Sequence, residues 1–367
     1  MDNRHCLFAL HQLQGIGWKT IQQIMMRLSS LDDVDMMEAA DWMELGFTPG
    51  RARSLSTLRN SLRDGQLESA VSSYEQAGIR WMTVWDDDYP ELLRETADPP
   101  WILYTRGDLS LLNRLCIGVV GTRTPTVYGR TSAELLASEL SAAGVCVVSG
   151  MARGIDSVAH EGALKGTGRT VAVLGCGMDT IYPAENRGLF QRIAREGLLL
   201  TEYPLGTKPH AGLFPLRNRI IAGLSAGVLV VEAAVRSGSL ITAELALGYS
   251  RDVFAVPGPI NSPKSKGALK LIKDGAKLVA SAGDVLEEYG NRIDLQNSAY
   301  SKDTQTASQK LSSDESLICE LLVFGPLTID QLLQQSQFTF GHLHAVLINL
   351  LMMQRIVEIP GTAYTLR

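Results

Sequence analysis

Short, continuous apolar runs alternate with longer amphipathic stretches along the centre of the chain, between residues 114 and 290. Unbroken runs of this kind are typical of parallel strands that are covered on both faces. The six runs are residues 116–120, 145–148, 171–174, 198–200, 228–231 and 253–256. Since the segments between them are long enough for helical crossovers, the pattern predicts an α/β fold with an extended, Rossmann-like, doubly wound parallel sheet. Such a sheet binds its ligands at the carboxyl ends of the strands.

The front of the chain, residues 1–65, has apolar residues at helical spacing and predicts a small helical domain. The glycine-containing turn at 13–17, with a weaker copy at 45–52, resembles the helix-hairpin-helix of SAM/HhH-like domains. Such turns can offer backbone N–H groups to a phosphate, and the alternative is a domain that serves packing alone. The Rossmann-like domain is predicted over 66–290, with a strand-like segment at 81–85 and a short strand within 99–104 before the main sheet.

The C-terminal part of the sequence predicts a linker and a third domain. Residues 291–312 are polar and rich in Ser, Thr and Gln, which indicates a flexible linker. Residues 313–367 show three helical stretches, a turn at 324–326 and two short strands, which is the order of a winged helix. The third helix, at 341–354, carries His342 and His344 and is otherwise mostly apolar. A helix that reads duplex DNA needs donors for phosphates and bases, so the sequence favours a protein-contact or regulatory role.

Composition excludes several classes of protein. With 45% hydrophobic and 20% charged residues in 367, the chain can bury a core and is not globally disordered. No apolar run approaches the ~18 residues of a membrane span, and the first residues lack a signal-peptide pattern, so we expect a cytoplasmic protein. Its 5 cysteines are scattered and form no CxxC pair, which excludes a disulfide framework and argues against a structural metal site.

The net charge of −5 is unevenly distributed. Residues 1–113 have a net charge of −7, residues 114–290 a net charge of +4, and residues 291–367 a net charge of −2. The acidic total alone argues against a nucleic-acid-binding protein, whereas the basic central domain keeps an anionic ligand possible.

Glycine, serine and arginine are concentrated where the predicted strands end. Glycine allows a backbone to approach a ligand closely, and a helix that begins there adds a partial positive charge. The first strand leads into Gly121, Thr122 and Arg123, and the second into a loop with Ser149, Gly150, Arg153 and Gly154. Later loops contain Gly175–Gly177, Phe214 to Arg219, and Gly238 with Ser239.

These loops match no familiar catalytic or dinucleotide pattern. The first is not GxGxxG, and the second strand ends in Ser149 and Gly150 rather than in an acid that could bind a ribose. No Walker lysine and no GxSxG serine is present, and Cys176 between its glycines is more typical of a packed thiol. The sequence therefore predicts no cofactor, no metal and no catalytic residue.

Once catalytic and dinucleotide-binding sites are set aside, the loops favour a polyanion that carries flat bases as the ligand. Arginine guanidinium groups and backbone N–H groups would bind phosphates, and Phe214, or less favourably Tyr203 or Tyr182, would stack on a base. The four arginines are Arg123, Arg153, Arg217 and Arg219. Two alternatives stay open: Arg217 and Arg219 could form internal ion pairs with Glu232 or Glu244, and Phe214 could simply begin a helix.

Several motifs, in this order, resemble the DNA-processing protein DprA (Smf) family. They are GTRxPTxYG at 121–129, SGxAxGIDxxAH at 149–160, YPxxN at 182–186, FPxRNRIIAGLS at 214–225, SGSLITA at 237–243 and VPG at 256–258. The resemblance covers the whole central domain, and the helical front and winged-helix back also fit the family.

The resemblance implies a single-stranded DNA-binding protein of natural transformation, which protects incoming DNA, loads RecA onto it and has no assigned catalytic activity. Implied partners are single-stranded DNA, RecA, single-strand-binding protein and a second copy in a homodimer. The DNA site carried over comprises Arg123, Ser149, Gly150, Phe214, Arg217, Asn218 and Arg219, with Lys208 just upstream. For the dimer the candidates are Leu269, Ile272 and Leu278, whose alternative role is ordinary core.

A second resemblance, to phosphoribohydrolases that release bases from nucleoside monophosphates, supplies an enzyme as the alternative. Residues 237–244 stand where that group has a glycine-threonine-glutamate loop, and Glu244 would be the catalytic carboxylate. The sequence departs from that pattern because it lacks the double glycine and has the additional Phe-Pro-x-Arg-Asn-Arg helix.

Overall fold

The computed structural model describes residues 2–28, 30–31, 34–59, 66–290, 312–322, 325–352, 355–359 and 363–366. The chain divides into two compact units, Met1–Ser298 and Ala299–Arg367. Of the predicted linker, residues 291–311 lie outside the described residues, as do residues 60–65 at the predicted end of the helical domain. The predicted domain boundaries therefore stay predictions.

A nine-stranded sheet organises the larger unit. Its strands are β1 Arg80–Thr83, β2 Ile102–Gly107, β3 Cys116–Val120, β4 Cys146–Ser149, β5 Thr170–Val173, β6 Leu198–Thr201, β7 Gly227–Val230, β8 Asp252–Ala255 and β9 Lys277–Leu278. They lie in the order β1-β2-β6-β5-β4-β3-β7-β8-β9. The seven strands from β6 to β9 are parallel, and β1 and β2 add an antiparallel edge. The predicted doubly wound sheet is confirmed, and all six predicted strands form within one residue of their expected bounds.

Helices cover both faces of this sheet. They are α1 Asn3–Gln12, α2 Trp18–Arg27, α3 Ala39–Glu44, α4 Pro49–Ser56, α5 Gln66–Gln76, α6 Glu91–Arg94, α7 Val127–Ala142, α8 Ile155–Ala163, α9 Arg187–Glu196, α10 Leu213–Leu224, α11 Gly238–Gly248, α12 Lys266–Lys273 and α13 Ala282–Leu286. Because side chains alternate along a strand, Val228 and Val230 of β7 pack in the cluster with α10 and α11. Leu229 between them packs in the cluster with α7 and α8. Both faces of β7 are thus buried, which is why its sequence is continuously apolar.

The N-terminal helices pack into the same core as one end of the sheet. Phe8 of α1 contacts Tyr74 of α5 and Tyr104 of β2, with ring centroids 5.5 and 6.3 Å apart. The Tyr104 hydroxyl lies 3.0 Å from Nδ1 of His11, and burial lowers the pKa of this histidine to about 4. Both predicted hairpins form, α1–α2 and α3–α4, with the left-handed glycines Gly15 and Gly46 in their turns.

The smaller unit has the order of a winged helix. Its elements are α14 Ser313–Leu322, β10 Leu327–Thr328, α15 Ile329–Ser336, α16 Phe340–Met352, β11 Ile356–Ile359 and β12 Ala363–Leu366, with a sheet in the order β10-β12-β11. Phe340 and Ile348 of α16 are exposed, and the helix contains no Lys or Arg. Across the parts of the chain that the structure describes, no helix is both long and apolar enough to cross a membrane.

Candidate nucleic-acid interface

A cleft opens at the carboxyl ends of the strands, where the strand order reverses. The chain crosses from β3 to β4 on one side and returns to β7 on the other, so the loops after β3 and β7 diverge. A cavity of about 370 Å³ lies here, between the loops at 121–123 and 234–239 and helix α10. A smaller cavity of about 170 Å³ adjoins it beside the loops that follow β4 and β5. Arg123, Phe214 and Arg217 line both cavities.

Phe214, in the first turn of α10, provides an aromatic face between the two cavities. Its ring stacks on Tyr182 with centroids 5.2 Å apart, and Cζ of Arg123 lies 5.6 Å from the ring centroid. A Cβ atom at Gly175 would lie 2.7 Å from the ring, so only glycine leaves room for it there. The structure thus brings together the predicted stacking residue, its less favoured alternative Tyr182 and one of the predicted phosphate ligands.

The loop that presents Arg123 is held in place by Glu232. The backbone N–H and the hydroxyl of Thr126 donate to the Glu232 carboxylate at 2.9 and 2.8 Å, and the N–H of Thr122 donates to its carbonyl at 2.7 Å. A Cβ atom at Gly129 would lie 2.5 Å from that carboxylate. Glu232 therefore positions this loop, whereas the sequence offered it as an ion-pair partner for Arg217 or Arg219. The side chain of Arg123 itself is exposed.

Arg217 forms the floor of the cleft. Only 3% of it is exposed, and its guanidinium donates to the carbonyls of Gly150 and Val173. A Cβ atom at Gly150 would lie 2.4 Å from the guanidinium, which explains the glycine. Arg217 thus holds the loop after β4 in place while it also lines both cavities, and its predicted role as a phosphate ligand stays a prediction.

Two buried titratable groups lie near Arg217, and one of them, Asp156, also lines the larger cavity. Burial raises the pKa of the Asp156 carboxyl, although the nearby Arg217 charge opposes that shift. Burial also lowers the pKa of His160 to about 3, and its ring hydrogen-bonds Thr170 at 2.7 Å. His160 is therefore neutral near pH 7 and serves as a packed, hydrogen-bonded side chain.

Arg219, which the sequence assigned to the DNA site, lines neither cavity of the cleft. Residues two apart on a helix point about 200° apart, so Arg219 faces away from the cleft when Arg217 faces it. Its guanidinium is paired with Glu202 and lies 3.6 Å from the Asp98 carboxylate. The internal ion pair that the sequence left open therefore exists, but its acids are Glu202 and Asp98 rather than Glu232 or Glu244. Burial raises the pKa of Glu202, and the Arg219 charge opposes that shift.

Two further predicted residues of the β4 loop have structural roles. Ser149 is fully buried and donates its hydroxyl to the Val119 carbonyl at 2.6 Å. Gly154 has a φ of 83°, and a Cβ atom there would lie 2.4 Å from the Thr122 carbonyl. Arg153 lies at the smaller cavity, with its charge already paired to Glu185.

Some of the remaining predicted residues lie at the cleft and others lie away from it. The Asn218 amide donates to the Gly238 carbonyl at 3.3 Å, and Gly238 and Ser239 line the larger cavity. Lys208 is exposed but does not line either cavity. Glu244, which the phosphoribohydrolase alternative requires as catalytic carboxylate, is exposed on α11 and also does not line the cleft.

Sequence reasoning missed Arg236. It is exposed, lines the larger cavity on the β7 side, opposite the β3 loop of Arg123, and forms no ion pair with a described residue. A lone arginine before Ser237 and Gly238 was the available signal, since that loop was already assigned to the strand ends that meet at the cleft.

Comparisons with known proteins agree with this fold. Residues 80–290 match the family model for DNA recombination-mediator protein A, and residues 302–362 match the DprA winged helix domain. The chain is 44% identical over 228 residues to DNA processing protein DprA of Bacillus subtilis, covering 62% of this chain and 77% of that one. It is 41% identical over 300 residues to Protein Smf of Escherichia coli, covering 77% and 79%.

Two solved structures are also similar. DprA of Streptococcus pneumoniae superposes with a TM-score of 0.68 at 37% identity, over 78% of this chain and 99% of that one. DprA of Helicobacter pylori, whose structure concerns its single-stranded DNA binding mode, gives a TM-score of 0.53 at 34% identity over 58% and 96%. Because the family model covers more than half of the chain, and the E. coli relative is matched over most of its length, the chain belongs to the DNA recombination-mediator protein A (DprA/Smf) family.

Proposed function

We propose that this protein binds single-stranded DNA in the cleft and acts as a DNA-processing protein of natural transformation. The observation that carries the proposal is the placement of the exposed Arg123 and Arg236 on opposite walls of a cavity that also exposes the Phe214 ring. Guanidinium groups bind phosphates, and an aromatic face binds a base that is free of its partner. The H. pylori relative, whose structure shows single-stranded DNA binding, supports the same ligand.

The cleft suits a single strand better than a duplex. In a duplex both faces of each base are covered by its neighbours, so a side-chain ring in a narrow cleft can stack only on an unpaired, splayed base. Few cations line the cleft, and each neutralised phosphate contributes roughly 0.7 to the salt slope for single strands. The overall acidic charge therefore does not oppose the proposal, because binding depends on a few local contacts and should have a shallow salt dependence.

The Phe214→Ala variant should bind single-stranded DNA about 5- to 100-fold more weakly, because stacking on an aromatic ring contributes about 1–3 kcal/mol per base. Its salt slope should stay that of the wild type, since no charge is lost. Titration of a labelled oligothymidylate at several salt concentrations measures both quantities. Trp85→Ala, which removes an exposed aromatic side chain distant in sequence from the cleft loops, is the matched control. Unchanged affinity of the Phe214 variant would contradict a stacking role.

Family membership supports a finer proposal, that the bound strand is protected and handed to RecA where single-strand-binding protein would otherwise sit. The candidate surface for RecA is the exposed side of α11 near 244–249, where Glu244 and Leu247 face outward. The protein would act in the cytoplasm as a binding protein rather than as an enzyme. In this proposal α16 of the winged helix, which lacks Lys and Arg, contacts protein rather than duplex DNA.

We also propose a homodimer formed through the last strand of the large sheet. Leu269 and Ile272 on α12 are half-buried, and Leu278 on β9 is 46% exposed, so none of the three belongs to the closed core. A dimer would hold two clefts on one strand of DNA and raise affinity through bivalency.

Leu278→Arg should convert the dimer to monomers, because an interface core does not accommodate an unpaired charge. Light scattering coupled to size exclusion measures the mass in solution. Leu247→Arg, which places the same charge at an exposed leucine on α11, should leave the dimer intact. A wild-type protein that is monomeric at all concentrations, or a Leu278 variant that remains dimeric, would contradict this interface.

A further inference from the structure

The loops that follow β3 and β8 meet beside the cleft, where Thr124 lines the smaller cavity and Tyr128, Pro257 and Lys264 line neither cavity. Tyr128, in the first turn of α7, donates its phenol hydroxyl to the Pro257 carbonyl at 2.7 Å. Lys264 donates its ammonium to the Thr124 carbonyl. These two hydrogen bonds join the loops into one surface, the shelf, which we define by Thr124, Tyr128, Pro257 and Lys264.

The ring of Tyr128 is the aromatic part of the shelf. The residue is 47% exposed, yet its hydroxyl is anchored, so the ring has a fixed orientation without being covered by protein. A base that stacks on such a ring does not have to immobilise a freely rotating side chain first. Tyrosine suits this role because it offers a large stacking area with only two rotatable bonds.

The ammonium of Lys264 is the cationic part of the shelf. Thr124 directly follows Arg123, so the ammonium is bound to the same loop that presents the Arg123 guanidinium to the cleft. An ammonium has three N–H donors, and the Thr124 carbonyl accepts one. Its charge and its other two donors remain for a phosphate. Along the loop after β3, the Arg123 guanidinium comes first, then the Lys264 ammonium that is bound at Thr124, and then the Tyr128 ring.

We infer that a single strand leaving the cleft past Arg123 continues over the shelf, with a phosphate bound to Lys264 and a base stacked on Tyr128. The inference rests on the proposed function, because the strand must first occupy the cleft. It extends that function with a second contact region, which only strands longer than the cleft can reach. Affinity should therefore depend on strand length through these two side chains.

The test compares an oligothymidylate of about 4 nucleotides with one of about 16, the limits of typical single-strand site sizes. Tyr128→Ala should weaken binding of the long strand about fivefold or more, the low end of aromatic stacking, and leave the short strand unchanged. Tyr128→Phe retains the ring but loses the hydroxyl that anchors it, and should lose less affinity for the long strand than Tyr128→Ala. Val127→Ala, at the exposed neighbouring residue, is the matched control.

Replacement of the lysine separates charge from stacking. Lys264→Met should lower the salt slope by about 0.7 for the long strand only, whereas Lys266→Met, at an exposed lysine two residues on, should not. Equal losses on both lengths would mean that the shelf acts only through the Arg123 loop, and would overturn the inference. No loss on either length would overturn it as well. Should the wild type bind neither strand, the proposed function itself would fail.

Discussion

Arg123→Glu should nearly abolish single-stranded DNA binding while leaving the fold intact. The change removes a charge-assisted contact worth about 1.5–3 kcal/mol and introduces a carboxylate that repels phosphate. A combined loss of about 2–4 kcal/mol corresponds to a roughly 30- to 1000-fold weaker affinity. The salt slope should also fall by about 0.7, because one phosphate fewer is neutralised per bound strand. Competition titration against a labelled oligothymidylate measures the affinity.

The control for this variant is Arg192→Glu, which makes the same charge reversal at an exposed arginine of α9 that does not line the cleft. Both variants should unfold at the wild-type urea concentration, because both side chains are solvated. The Arg123 variant should also fail to promote RecA assembly on DNA coated with single-strand-binding protein, if assembly requires the cleft. If the Arg123 variant bound single-stranded DNA with wild-type affinity, the proposed function would be contradicted.

Arg217→Met should produce the largest loss of stability in the cleft. Methionine fills similar space but leaves the carbonyls of Gly150 and Val173 without their buried donor. Each unsatisfied buried polar group costs about 1–3 kcal/mol, so we expect the free energy of unfolding to fall by about 2–5 kcal/mol. Urea unfolding followed by tryptophan fluorescence reports this unit selectively, because all 5 tryptophans precede residue 102.

Two further substitutions define the cause of that loss. Arg217→Lys retains the charge but lacks the rigid guanidinium whose Nη1 donates to both carbonyls, and should fall between the wild type and the Met variant. Arg123→Met removes an exposed guanidinium from the same cleft and should leave the unfolding midpoint unchanged. A stable Arg217→Met protein that has lost DNA affinity would show instead that Arg217 binds phosphate directly, as the sequence had suggested.

The central sheet was predictable because its strands are covered on both faces and therefore continuously apolar. The same argument explains the strand that was missed. β9 consists of Lys277 and Leu278 at the edge of the sheet, where no apolar run is required. The two antiparallel strands were recognised as segments, but the pairing of β2 with β6 depends on contacts between residues some 95 positions apart, which no local pattern encodes.

The loops that form the site could be predicted from the sequence, but the roles of their arginines could be predicted less well. Glycines mark close backbone approaches, and Gly150, Gly154 and Gly175 each make room for a specific neighbour. Whether an arginine binds a ligand or a buried acid depends on which way the helix turns and on partners elsewhere in the chain. Arg219 is paired with Glu202 and Asp98 because α10 directs it away from the cleft. Arg236 faces the cleft, and its only sequence signal was its place directly before Ser237 and Gly238 in a loop at a strand end.

The carboxylate of Glu232 has a consequence for the kinetics of binding. Because Thr126 donates to this carboxylate and Thr122 donates to the backbone carbonyl of Glu232, both ends of the short loop are fixed, and the backbone at Arg123 is in place before a strand binds. Encounter then needs no slow rearrangement of the protein, and association can proceed at a rate governed by diffusion and electrostatic attraction. Affinity differences among related strands would then be expressed in how long each one stays bound.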